Sequence, residues 1–193
     1  MRNMLIDELP DTIEVSGSSV KIRTDFRVGL QMDALVRDND LSNEEKVKVM
    51  LNLYLVEKVN NYSEAIDQIL EFFACGKRKQ RDENDDSNQS KRNTFSFEHD
   101  AGYIIAAFMA QYGIDLTECD IHWHKFVALF RALTDQNEII KIIGYRSANL
   151  SAIKDKSEKR RIAKLQAIYA LPDEYAGISS EELAGQMFGG GLF

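Results

Sequence analysis

The chain has 193 residues, 44% hydrophobic and 28% charged, which is enough apolar content for a folded core and excludes wholesale disorder. Twenty-four basic residues against thirty-one acidic ones give a net charge of −7, so the chain has no general attraction for phosphate backbones or anionic lipid. Two cysteines, Cys75 and Cys119, cannot form a disulfide framework, and the longest nearly apolar run, 101–114, falls short of the roughly 20 residues a membrane span needs.

The elements follow in chain order. Residues 12–15 and 20–23 alternate apolar and polar around Ser16-Gly17-Ser18-Ser19, which predicts a β-hairpin with one buried face. The only prolines of the chain are Pro10 and Pro172, and the proline-free stretch between them favours helices. A first helix starts at a Thr24 or Asp25 cap and runs to about Asp38. Ser42-Asn43-Glu44-Glu45 has the form of a capping box, followed by a stripe of Val47, Met50, Leu51 and Tyr54. Ser63 is the expected cap of a third helix, whose Ile66, Ile69, Leu70 and Phe73 recur at i, i+3, i+4 and i+7 and which stops at Gly76.

From 76 to 94 no apolar residue occurs, which predicts a polar flexible loop whose basic ends are offset by Asp82, Glu83, Asp85 and Asp86. The helix over 100–112 is apolar almost all round and is expected at the buried centre of a bundle. Trp123, Phe126, Val127 and Phe130 mark the next helix, and a short one spans 136–143. The segment 151–171 reads as a longer helix with a charged first half, stopped by Pro172. A last short helix over 181–188 leads to Gly189-Gly190-Gly191-Leu192-Phe193, an apolar tip on a loose tether. The fold class is therefore mostly α, a helical bundle with a small N-terminal hairpin. Residues 1–175 form one domain and 176–193 a short helix and tail.

The chemistry-bearing residue types do not assemble into a site. Cys119, His122 and His124, with Asp120 and His99, suit zinc by type. On the helix expected there, however, His122 and His124 point about 200° apart and cannot meet one ion. Cys119 has neither a glycine elbow nor an orienting acid, and no phosphate-binding glycine motif follows a strand. No enzymatic activity, cofactor or metal is expected. The basic run Lys154, Lys156, Lys159, Arg160, Arg161 and Lys164 is interleaved with Asp155 and Glu158, as on a solvated helix.

Three clusters carry a resemblance. One runs from Leu9-Pro10 through the hairpin to Thr24-Asp25-Phe26-Arg27. Another joins Phe95-Ser96-Phe97-Glu98-His99-Asp100 to Ala106-Ala107-Phe108 and Tyr112-Gly113-Ile114-Asp115-Leu116. The last is His122-Trp123-His124-Lys125-Phe126 with Ala128-Leu129, followed by Ile142-Ile143-Gly144-Tyr145-Arg146. Over roughly 5–150 this order resembles the "gene product fifteen" family of tailed phages and prophages of Gram-positive bacteria. His124 departs from it, standing where the family usually repeats a tryptophan.

The resemblance implies a tail assembly chaperone of the bacterial cytoplasm, because the family's genes lie between those for the major tail protein and the tape-measure protein. It implies the tape-measure protein as partner and supplies no catalytic residues. An amphipathic-helix-in-groove mode suits such a client, and the aromatic helix faces allow self-association. The binding residues expected are Trp123, Phe126 and Phe130, through the exposed parts of their helix, and Leu192 and Phe193 in the tail. The alternatives are a structural component of the virion tail and a phage regulator binding nucleic acid through 154–164. The net charge argues against nucleic acid, and no membrane contact is expected.

Overall fold

The computed structural model describes residues 6–76 and 93–172. Within them the chain is mostly α, with seven helices after an N-terminal two-stranded antiparallel hairpin. The expected helix at 181–188 and most of the polar stretch 76–94 lie outside the described residues. The described chain divides into two compact units. One is built from 6–76 and 120–128, the other from 93–119 and 129–172.

The first unit opens with β1 (Thr12–Val15) and β2 (Ser18–Lys21), paired so that Ile13 faces Val20 and Val15 faces Ser18. Their turn is tighter than the four residues expected. Ser16 and Gly17 alone turn the chain, both at positive φ (50° and 74°), the primed geometry whose twist matches paired strands. Ile13, Val15 and Val20 bury one face, while the other alternates to solvent.

Helix α1 (Phe26–Arg37) is capped by Asp25, which accepts the Arg27 N–H at 2.9 Å. Helix α2 (Asn43–Tyr54) carries the predicted capping box, with Ser42 and Glu45 each satisfying the other's backbone donor. Its Lys46 is buried and donates to the Val36 carbonyl at 3.0 Å, placing a cation at the C-terminal end of α1 where the helix dipole favours one.

Helix α3 (Tyr62–Phe73) begins two residues earlier than a Ser63 cap would start it. Asn61 takes that role, accepting the Glu64 N–H at 3.2 Å. The far end closes in a Schellman arrangement, with Gly76 N–H on the Glu71 carbonyl and Cys75 N–H on that of Phe72. Cys75, at φ 54°, fills the left-handed position before Gly76.

The second unit holds α4 (Ala101–Tyr112), α6 (Glu138–Ser147) and α7 (Lys156–Ile168). Helix α6 is longer at its C-terminal end than the sequence pattern shows, because Gly144 is tolerated inside it. Helix α7 is shorter, starting at an Asp155 cap that accepts the Glu158 N–H. A buried ion pair ties this unit together. Arg146 grips Asp100 through two nitrogens at 2.6 and 2.9 Å, and also donates to the Thr94 and Tyr169 carbonyls. Asp100 in turn accepts the Ser96 N–H at 3.0 Å. Helix α5 (Trp123–Arg131) spans the division, which falls after Ala128.

Candidate functional site

The segment His122-Trp123-His124 is anchored to the rest of the first unit through both backbone and side chains. Backbone pairing sets it first, with Trp123 N–H on the Thr24 carbonyl (2.7 Å) and Phe26 N–H on that of Ile121 (2.8 Å). Three side chains then reach three carbonyls. His122 Nε2 lies 3.0 Å from Pro10 O, Trp123 Nε1 donates to Phe73 O at 2.9 Å, and His124 Nε2 lies 2.8 Å from Phe72 O. Phe72 and Phe73 end α3; the indole supplies a donor to the Phe73 carbonyl, and the imidazole adds a donor to the Phe72 carbonyl that the Cys75 N–H already reaches.

The Trp123 indole stacks on Phe73 with ring centroids 5.3 Å apart and planes within 6°. The indole also lies close against Gly29 of α1, where a Cβ would run into its Cε3, Cδ2 and Cζ3. His124 stacks on Phe72 at 4.6 Å. Burial holds its imidazole pKa below the ordinary value, the bond to Phe72 O pulling the other way and the neighbouring His122 adding to the depression.

The expected divergence of the two histidines does not occur. His122 precedes the helix, and its ring centroid lies 5.1 Å from that of His124. The helical angle argument fails because only His124 has helical geometry. The pair is nevertheless committed elsewhere. His122 Nδ1 accepts the His124 N–H at 3.1 Å, which puts the proton of the neutral ring on Nε2, where it donates to Pro10. Asp120 lies 3.6 Å from Arg27, and His99 is exposed in the second unit. Among the described residues, no group of three or more His, Cys, Asp or Glu is placed to hold a metal ion.

The residues expected to bind a partner lie as follows. Trp123 and Phe126 are each 1% exposed and Phe130 8%, so their stripe is core. Phe126 stacks on Phe26 at 5.0 Å, and Phe130 packs against Phe95 and Phe97 in the second unit. The solvent face of α5 is left to Lys125, Ala128 and Arg131. Leu192 and Phe193 lie outside the described residues.

What the sequence pattern missed is the open side of α4. This helix is not the buried centre of a bundle, since only Ile104, Ala107 and Phe108 are buried. Tyr103 and Met109 are 41% and 46% exposed, and Gly102, Ala106 and Ala110 are exposed beside them. No charge occurs from Ala101 to Tyr112, so this solvent-facing side is apolar along its whole length. Helix α7 is its opposite in character, with Lys156, Lys159, Arg160 and Lys164 exposed and Arg161 paired to Glu158 at 2.8 Å. That pairing holds the Glu158 carboxyl below its ordinary range.

Among the described residues, no helix is long and apolar enough to cross a membrane. Comparison with known families finds a match to the model described as bacteriophage Gp15 protein, over residues 5–171. No curated protein and no solved structure gives a significant match.

Proposed function

Because the chain belongs to the bacteriophage Gp15 protein family, and is thus a phage protein, we propose that it is a tail assembly chaperone. It acts without chemistry of its own, covering apolar stripes of the long helical tape-measure protein in the host cytoplasm until the tail is built. The observation that carries this reading is the solvent-facing side of α4. A helix face that is uncharged over twelve residues and presents Tyr103 and Met109 to water is costly to leave open. Small residues at 102, 106 and 110 leave room for a second helix to approach closely, and the two larger side chains supply anchors. The acidic balance of the chain favours solubility of the covered complex.

The test is co-expression with the long helical protein encoded beside this one, followed by affinity capture. The client is expected in the soluble fraction and in the captured complex, and both are expected to be lost in the double variant Tyr103→Asp, Met109→Asp. Both positions are exposed, so the variant's own helical content should be unchanged. A client that stays insoluble beside a well-folded wild-type chain overturns the reading, as does equal capture by the variant.

A further inference from the structure

Charge is unevenly shared within this acidic chain. Among the described residues the unit of 6–76 and 120–128 carries fifteen acids against eight bases, whereas the unit of 93–119 and 129–172 carries eight acids against nine bases. The cations of the second unit concentrate on α7. Lys156, Arg160 and Lys164 recur at i, i+4 and i+8, within an arc of about 80° on the helix surface. That arc lies on the side away from the buried Ile162, and all three residues are exposed, with Lys159 at its edge. The one acid within α7, Glu158, is taken up by Arg161 and lies off this ridge.

Helix α3 shows the reverse pattern. Glu64, Asp67 and Glu71 recur at i, i+3 and i+7, within an arc of about 60° opposite the buried Ile66, Ile69 and Phe73. The helix contains no basic residue at all. Glu64 also holds the hairpin turn, accepting the Ser16 N–H at 2.7 Å.

We infer that these two ridges are the halves of a contact between copies of this chain, the cationic ridge of α7 in one copy lying along the acidic ridge of α3 in the next. The spacings match. The acids span about 10.5 Å of α3 and the cations about 12 Å of α7, so side-by-side helices bring each charge against an opposite one. A second copy is the fitting occupant because the chain itself carries both members of the pair. The ridges are different surfaces, so the contact is heterologous, and its repetition makes rings or open chains rather than a two-fold dimer. Exposed ion pairs are individually weak, which makes the association sensitive to salt and dependent on repetition.

Sedimentation velocity of the full chain over a concentration series tests this at about 0.1 M and about 1 M NaCl, between which the Debye length falls from about 10 Å to about 3 Å. Expected at the lower salt is a species heavier than the monomer that grows with concentration, with a dissociation constant roughly tenfold higher at the higher salt. The triple variant Lys156→Glu, Arg160→Glu, Lys164→Glu should sediment as a monomer, and so should the double variant Asp67→Lys, Glu71→Lys. An equimolar mixture of the two should associate again, because each then offers the ridge that the other lacks. A wild-type chain that stays monomeric at both salts overturns the proposal, as does association that survives either reversal. A monomeric chain that binds duplex DNA through α7, and loses that binding in the triple variant, overturns it in favour of a nucleic-acid face.

Discussion

At the scale of single residues, the segment 122–124 does its work through N–H groups. The indole of Trp123 and the imidazole of His124 donate to adjacent carbonyls at the end of α3, and they differ in that only the imidazole titrates. Its native pKa is depressed below about 6.5, the ordinary value for an unfolded chain. As pH falls through that value the unfolded chain takes up a proton that native His124 resists, so the stability present at neutral pH is lost progressively toward the native pKa. The melting temperature should therefore fall between about pH 7 and pH 5.5. In His124→Gln, which keeps an N–H donor without the titration, that part of the slope should vanish. Thermal melts across the pH series read the difference, and identical slopes in the two proteins would refute it. Gly29 belongs to the same argument, since any side chain there competes with the indole for one volume.

At the scale of elements, the sequence was most legible where a local signal decides the outcome. The capping box at Ser42, the cap at Asp25 and the left-handed stop at Gly113 (φ 66°) all rest on residues within one turn of the boundary. Periodicity located the α5 stripe correctly but could not say whether its aromatics face core or partner, because both uses demand the same spacing. The reverse failure befell α4. A sequence with no polar stripe reads as fully buried, and only the tertiary arrangement shows one side left to solvent.

The Asp100–Arg146 pair was likewise out of reach, its members lying 46 positions apart. Both side chains are buried, 1% and 8% exposed, so removing one charge strands the other away from water. Asp100→Asn should lower stability by about 3 kcal/mol. A shift of the urea midpoint at constant slope would show it, and a midpoint within error of wild type would place the stability of the second unit elsewhere.

At the scale of the whole molecule, the decisive feature is the order in which the chain supplies its two units. The first unit is not finished when residue 76 is reached, because the chain comes back to it at 120–128. Those returning residues are central: Trp123 stacks on Phe73 and lies close against Gly29, Phe126 stacks on Phe26, and His124 stacks on Phe72. Composition shows a break at 76–94 and nothing at 120–128, since a segment that completes a distant core looks like any other apolar helix. The break in composition thus marks one crossing between the two units and leaves the crossings at either end of 120–128 unmarked.

A specific protease site placed within 77–92 makes the consequence measurable. The nicked chain should elute as one species with unchanged helical content, its two fragments held by burial of Trp123, Phe126 and His124 among α1 and α3. Each of the two aromatic side chains contributes on the order of 2–3 kcal/mol by burial alone, enough with the carbonyl bonds to keep the fragments together at working concentrations. Trp123→Ala should release them, because it removes the stack, the Phe73 hydrogen bond and the filling against Gly29 at once. Two folded fragments that separate from the nicked wild-type protein would instead show that each half completes its own core.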